Sequence, residues 1–398
     1  MKTNFKHTKS LFHLSKDIIY LNGNSLGPLP KNAAKEVNKM MVEKWGELLI
    51  GGWNKDNWIT QPTDIGNRIG KLIGAEEDHV AVGDTLSIKL YQALFSALRL
   101  NPKRKILLSD NGNFPSDLYI AKGLTKSLNK NIETKIVPPE KIYQSITDKI
   151  AVLYLTQIDY KTGRKHNIKK ITSKARELGV ITVWDLAHSI GVLDLNISEH
   201  KVDFAVGCTY KYLNGGPGSP AFIYVSPDHI NKIELALQGW MGHESPFSFK
   251  QNYNPATGIN KMLVGTQSVI AMTSLNAALN IFDLVDMKDV RYRSRELTNL
   301  LMQELKGCAA HLKLVSPAKS SFRGAHISYR FKDAYPLVQA LISNGVIADF
   351  RAPDLIRLGV NPLFIDETDI IKAVQIIKEI FDKSKWNKAE YHLRRYVT

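Results

Sequence analysis

The chain has 398 residues, 44% hydrophobic and 23% charged, which are ordinary globular values and a length that favours a large unit plus a smaller one. Two cysteines, Cys208 and Cys308, exclude a disulfide framework and a cysteine-rich metal centre, and no metal is expected. The net charge of +15 raises the question of nucleic acid, yet the sequence carries no zinc-finger spacing and no basic run before heptads.

Its basic residues are scattered. Lys122, Lys126, Lys130, Lys135, Lys141 and Lys149 punctuate a stretch read as loop and helix, and Lys383, Lys385, Lys388, Arg394 and Arg395 form a loose group near the end. They read as a solvated face, so neither nucleic acid nor membrane is expected as a partner. No apolar run is long enough to cross a bilayer, and the first residues lack the apolar core of a signal peptide, so a cytoplasmic location is expected.

In chain order, residues 17–21 read as a short strand followed by the turn Asn22-Gly-Asn-Ser-Leu-Gly27. Pro28 and Pro30 open an amphipathic helix running to about Ile50. From about residue 60 to 230, strands and helices alternate. Ile88, Tyr91, Leu94, Phe95 and Leu98 fall on one helical face. Short apolar runs at 105–109, 150–155, 180–184, 202–206 and 221–225 read as strands, with a helix from Ile168 to Leu178 ending at Gly179. This alternation implies a mostly parallel sheet covered on both faces. After about residue 265 a long helical region leads to strands near 312–315, 326–331 and 355–358, with helices at 336–344 and 368–382: a smaller α+β unit packed on the first.

In open α/β sheets, ligands bind beyond the carboxyl ends of the strands. Those ends carry Asp185-Leu-Ala-His188, Gly207-Cys-Thr-Tyr-Lys211, and Ser109-Asp-Asn-Gly-Asn-Phe114-Pro-Ser-Asp117, while Gly83-Asp-Thr85-Leu-Ser87 opens a helix. Pyridoxal phosphate (PLP) needs a lysine for a Schiff base and an acid beside its ring nitrogen, because a nearby negative charge favours the protonated pyridine. Lys211 and Asp185 fit those roles. Thr85, Leu86 and Ser87 offer N–H and hydroxyl donors to a phosphate at a helix start, and Phe114 offers a flat face to the ring. Each residue alone has a bland reading: Asp185 as a helix cap, His188 as a structural histidine, Phe114 as core. A lysine set between a buried strand and Gly215-Gly-Pro-Gly-Ser-Pro220 is harder to dismiss, and the co-occurrence carries the weight.

These motifs resemble the kynureninases. The resemblance rests on Tyr20-Leu-Asn-Gly-Asn-Ser-Leu-Gly27, Trp58-Ile-Thr, Asn113-Phe-Pro-Ser-Asp117, Trp184-Asp-Leu-Ala-His188, Cys208-Thr-Tyr-Lys-Tyr-Leu-Asn-Gly-Gly-Pro-Gly-Ser219, Gly239-Trp-Met-Gly-His243 and Val264-Gly-Thr-Gln267. It implies the α/β fold-type-I fold of PLP enzymes: a large domain (56–280) with a mostly parallel seven-stranded sheet, a small α+β domain (281–398), and an N-terminal segment (1–55) packing with the small domain. The implied reaction is hydrolysis of the Cβ–Cγ bond of L-kynurenine, and of its 3-hydroxy form, to anthranilate or 3-hydroxyanthranilate and L-alanine, in tryptophan breakdown.

Carried over by position, Lys211 binds the cofactor and moves the Cα proton, with Asp185 on the pyridine nitrogen and Tyr210 as the acid that protonates the product. Leu86, Ser87, Phe114, Pro115, Ser116, Asp117, Thr156, His188 and Trp240 surround the cofactor. Thr266 reaches its phosphate from the partner subunit of a homodimer with shared active sites. Arg357 grips the substrate carboxylate, and Trp53 faces the substrate's aromatic ring, where tryptophan favours unsubstituted kynurenine. Gln157 has no assigned effect. Two alternatives stay open. A cysteine desulfurase on the same scaffold needs a nucleophilic cysteine on a mobile loop, which neither Cys208, against the lysine strand, nor Cys308, after a helix, supplies. A non-catalytic basic binding protein on a decayed fold is disfavoured by Lys211, Asp185 and Arg357 standing together.

Overall fold

The structure is a computed structural model that describes residues 2–128, 131–308 and 310–394; Lys130 and Arg395 of the basic groups lie outside the described residues. The strands, in chain order, are β1 Ile19–Tyr20, β2 Val80–Val82, β3 Ile106–Asp110, β4 Glu133–Val137, β5 Ile150–Thr156, β6 Ile181–Asp185, β7 Phe204–Gly207, β8 Phe222–Val225, β9 Lys313–Leu314, β10 His326–Arg330, β11 Val346–Ile347, β12 Asp349–Arg351 and β13 Leu355–Gly359. Seven of them make one sheet in the order β2-β8-β7-β6-β5-β3-β4. Only β8 runs antiparallel to its neighbours.

The five apolar runs became strands because they are buried on both faces, as a parallel sheet requires; every residue of β5 is buried. One face of the sheet packs on the helix Leu86–Leu100, and the other joins a core that continues without a break into the smaller unit. Two strands of this sheet escape a reading by apolar runs. β4 lies at the sheet edge with mostly exposed side chains and polar Glu133, Thr134 and Lys135, so the stretch read as loop and helix contains a strand. β2 has only three residues.

The stripe expected on the helix Leu86–Leu100 is rotated. Leu94 and Leu98 of that stripe are buried, together with Leu90, Ala93 and Ala97, whereas Ile88 is exposed and Tyr91 and Phe95 are half-buried. Buried polar residues hide the true face. Lys89 Nζ donates to the Met262 carbonyl at 2.8 Å and lies 3.0 Å from Asp84, and Gln92 Nε2 also reaches Met262. The helix after Pro30 runs from Lys31 through a wider π-type turn at Met40–Trp45, then breaks at Leu49, whose φ is +50°. A further short helix, Gly52–Lys55, carries Trp53.

The smaller unit holds an antiparallel sheet, β12-β13-β10-β9, and β1 pairs in parallel with β11. The N-terminal segment therefore reaches the C-terminal third of the chain. It continues along β13, where Gly359 N donates to the Leu21 carbonyl at 2.7 Å. Two glycines permit this passage. A Cβ on Gly359 would stand 1.9 Å from Asn24 Oδ1, and one on Gly27 would stand 2.4 Å from the Lys211 carbonyl oxygen.

Candidate active site

The carboxyl ends of β5, β6 and β7 converge. Asp185 closes β6 beside Thr156 at the end of β5, and β7 feeds the turn that carries Lys211. That turn is closed by Asn214 N donating to the Lys211 carbonyl at 3.0 Å and Gly215 N to the Thr209 carbonyl at 3.0 Å. Asn214 at φ +59° and Gly216 at φ +93° supply its left-handed corners. Gly27 N donates to the Tyr210 carbonyl at 2.8 Å, so the Asn22–Gly27 turn props the lysine from below.

Lys211 Nζ lies 3.2 Å from His188 Nε2, 5.9 Å from the Phe114 ring centre and 5.8 Å from that of Tyr210. Burial, then Lys211 and His326, hold the His188 imidazole well below its ordinary pKa, so it is neutral at pH 7. Asp185 Oδ1 accepts from Ala187 N at 2.7 Å, and its Oδ2 lies 3.3 Å from Thr156 Oγ1. Thr156 also contacts Asn113, and Asp117 Oδ2 lies 3.5 Å from the same hydroxyl. Burial pushes the carboxyls of Asp117 and Asp185 up, and Asp185 raises Asp117 further. Two buried carboxyls therefore share one site, with Lys211 the cation that opposes them.

The helices Leu86–Leu100 and Pro115–Ser127 begin side by side. Thr85 and Phe114 are their N-cap positions, and Ser87 Oγ and Ser116 Oγ stand 3.4 Å apart. Two helix starts with free N–H groups and paired hydroxyls make a cradle for a phosphate. The fit to PLP can be read from this geometry. A protonated ring nitrogen would give the two carboxyls of Asp185 and Asp117 a second positive charge besides Lys211, the serine cradle would suit the phosphate, and the Phe114 ring lies beside the lysine amine. Leu86, Ser87, Phe114, Pro115, Ser116, Asp117, Thr156, Asp185, His188, Tyr210 and Lys211 thus lie on adjoining strand ends and helix starts. Burial and the neighbouring Cys208 push the Tyr210 phenol up, so it is a protonated donor across the neutral range.

Arg357 is not a surface charge on an edge strand. It lies in β13, between β12 and β10, and is 1% exposed. Its fork is engaged: Nε donates to Asp349 Oδ1 at 2.7 Å, Nη2 to Asp349 Oδ2 and to Ser25 Oγ at 2.8 Å, and Nη1 to the Tyr160 carbonyl at 2.6 Å. Of the five guanidinium N–H groups, one on Nη1 is left over. Arg351 Nη2 stands 3.1 Å from the same Asp349, so two guanidiniums face one carboxylate. Burial alone would raise Asp349, but its Arg357 hydrogen bonds and the charges of Arg357 and Arg351 outweigh it and hold the carboxyl below its ordinary range.

Reading the sequence missed Asp349, Arg351 and Ser25. Their signal is strand register, which places Asp349 opposite Arg357. It also missed His326, fully buried on β10, whose ring lies 5.8 Å from that of His188 and whose two nitrogens have no hydrogen-bond partner among the described residues.

Three expected residues stand apart. Trp53 and Trp240 lie 6.4 Å apart in an aromatic group with Trp58 and Phe247. Thr266 is exposed, next to Gln267, which bonds to the Trp58 carbonyl. Among the described residues, no hydrogen bond or ring contact joins them to the Lys211 group. Both cysteines are buried, and burial raises both thiols, which makes them poor nucleophiles. No single described helix is long and apolar enough to cross a membrane.

Comparison with known proteins agrees with this geometry. The kynureninase C-terminal domain family matches residues 290–377. A kynureninase of Pseudomonas fluorescens is 40% identical over 394 residues, covering 97% of this chain and 95% of that protein. One from Deinococcus radiodurans is 40% identical over 384 residues, covering 95% of this chain and 93% of its own. Among solved structures, an apo cysteine desulfurase of Thermococcus onnurineus superposes with a TM-score of 0.81 at 13% identity, covering 96% of this chain and 99% of that one. The cystine C-S lyase C-DES does so with 0.77 at 16%, covering 91% and 97%. At such identities these two report the shared fold. The near full-length matches at 40% decide the family: the chain belongs to the kynureninases.

Proposed function

We propose that the Lys211 cleft is where this PLP-dependent hydrolase splits the Cβ–Cγ bond of kynurenine into anthranilate and alanine. The observation that carries the reading is the Lys211 amine held against neutral His188, above a buried carboxyl pair and beside a phosphate cradle. PLP bound there supplies an electron sink joined to the substrate Cα.

The chain's own groups do the rest. Asp185, with Asp117 behind it, holds the negative charge that keeps the ring nitrogen protonated. With PLP bound, Lys211 would hold the cofactor and would then be the base placed to take the proton from Cα. His188 stays neutral and hydrogen-bonds the lysine amine without repelling it. Water contributes its hydroxyl to the carbonyl carbon that leaves with the aryl group, Cβ receives a proton from the Tyr210 phenol, which water's proton restores, and Lys211 returns a proton to Cα. The substrate carboxylate is held by the remaining Nη1 N–H of Arg357 together with Arg351, because Asp349 already occupies the Arg357 fork.

The active protein is, in this reading, a homodimer. A second copy brings Thr266 to the phosphate cradle, Trp240 to the cofactor and Trp53 to the substrate ring. Support comes from Thr266 and its aromatic neighbours standing outside the Lys211 group, and from the exposed apolar side chains Val42, Trp45, Leu49 and Ile50 on the adjoining helix. The decisive experiment is anthranilate fluorescence from kynurenine with Lys211→Ala. Turnover should vanish; multiple turnovers by the variant would end the assignment.

A further inference from the structure

A cavity of about 600 Å³ opens between the loop after β5 and the helix Met287–Glu304, and none of the residues assigned to the cofactor lines it. Five lining side chains are cations, Lys165, Lys169, Lys288, Arg291 and Arg295, against a single carboxylate, Asp194. Among the described residues, none of the five is in an ion pair. The contrast within one helix is direct: Arg293, two residues before Arg295, is paired with Glu367.

These charges are held in place without being neutralised. Arg291 is 7% exposed, and its Nη2 donates to the Ser320 and Arg323 carbonyls at 2.9 and 2.8 Å. Those bonds fix the guanidinium but bring no negative charge. Arg295 Nε, Ser321 Oγ and His200 Nδ1, all from residues on the cavity wall, are buried with no hydrogen-bond partner among the described residues. Burial, then Arg291 and Arg295, bring Lys165 down to about 8. Burial, then Arg295 and Arg323, bring Arg291 down to about 9. Partly buried like charges at close quarters destabilise a fold unless an anion joins them.

The cavity leaves four positive charges in excess of Asp194. A monoanion would leave most of them unmatched. A polyphosphate matches both the charge and the donor type, since phosphate oxygens take several hydrogen bonds each from guanidinium and ammonium groups. The volume lies within the range of small-molecule sites. Gln157, to which no effect on the reaction is assigned, also lines the wall.

We propose that this cavity binds a small polyphosphate anion, either inorganic or carried on a nucleotide, and that the anion bridges the loop after β5 to the helix Met287–Glu304. Lys165 approaches it from that loop and Lys169 from the first turn of the helix Ile168–Glu177 that follows, with Lys288, Arg291 and Arg295 on the second side.

The test uses PLP-saturated protein, so that the active-site phosphate cradle is already filled, in low-salt buffer free of divalent metal. Pyrophosphate and ATP are titrated separately by calorimetry. One site per chain is expected, with affinity falling as salt rises and a rise in Tm of about 2 °C or more at saturation. Lys169→Gln combined with Arg295→Gln should weaken Kd by about tenfold or more, while kcat/KM for kynurenine stays within about twofold. Should the double variant fold poorly, Lys288→Gln alone carries the same comparison. Equal affinity for the two anions assigns recognition to the phosphates alone, and tighter ATP binding assigns the site to a nucleotide. No binding of either anion, or unchanged affinity in the variants, overturns the proposal.

Discussion

Replacing Arg357 with Gln should damage stability and catalysis by separate routes. Arg357 and Asp349 are each 1% exposed and share two hydrogen bonds. Breaking a buried ion pair by removing one partner costs about 3–5 kcal/mol, because the other charge is stranded. Here Arg351 stays 3.1 Å from Asp349, which places the expected loss near the lower end, at about 3 kcal/mol. Converting Asp349 to Asn as well removes the stranded charge, and the Arg357→Gln/Asp349→Asn double variant should recover about 1–2 kcal/mol of that loss. Catalysis should show no such recovery. The single and double variants should both lose roughly 10²–10³-fold in kcat/KM, the equivalent of about 3–4 kcal/mol of carboxylate recognition. Urea unfolding of the PLP-loaded proteins measures the first quantity, and anthranilate fluorescence the second. A double variant no more stable than Arg357→Gln would refute the stranded-charge argument. A kcat/KM within about threefold of the parent would refute the role in substrate binding.

Asp349 also sets an acid limit. Its carboxyl is held below the ordinary range, so its stabilisation is complete above about pH 4, where the unfolded carboxyl ionises, and is lost as pH falls through the lower folded value. Asp349→Asn should flatten the stability profile in urea melts below about pH 4, and an unchanged slope would count against the pair. Gly27→Ala should displace the lysine turn, since the new Cβ meets Asn214 Oδ1 and the Lys211 carbonyl oxygen, each at 2.4 Å. Loss of turnover with an altered PLP absorbance is expected, whereas Gly51→Ala, with nothing within 4 Å, should behave as the parent. The native thiols of Cys208 and Cys308 should resist a disulfide reagent until the protein unfolds, and Cys308→Ala should keep kynurenine turnover; rapid native labelling would contradict their burial.

Much of the site is legible because a parallel sheet makes it so. Its buried strands are unbroken apolar runs, and the residues just past them, Asp185, His188 and Lys211, stand out as polar against that background. The glycines after Lys211 announce a turn that other side chains resist. Legibility fails where three-dimensional pairing supplies the meaning. Asp349 and Arg351 sit in a three-residue strand that reads as an ordinary polar stretch, and only its register against β13 brings them to Arg357. The helix face was misplaced because Lys89 and Gln92, polar in the sequence, are buried by bonding to the Met262 carbonyl. Trp53, Trp240 and Thr266 carry family motifs yet stand apart from Lys211, so their place in the reading depends on a second copy of the chain.

The pairing of β1 with β11 has a consequence for how the protein is made. Ile19 meets Val346, and the Thr8 hydroxyl bonds to the Leu363 carbonyl, 355 residues later. A ribosome delivers the first partner long before the second. The Asn22–Gly27 turn can meet Tyr210 once the lysine segment is made, but its Ser25 reaches Arg357 and Asp349 only after nearly the whole chain has been synthesised. The cluster of Ser25, Asp349 and Arg357 is therefore among the last parts of the fold to close, and truncation before β11 would leave β1 without its partner strand and Ser25 without Arg357.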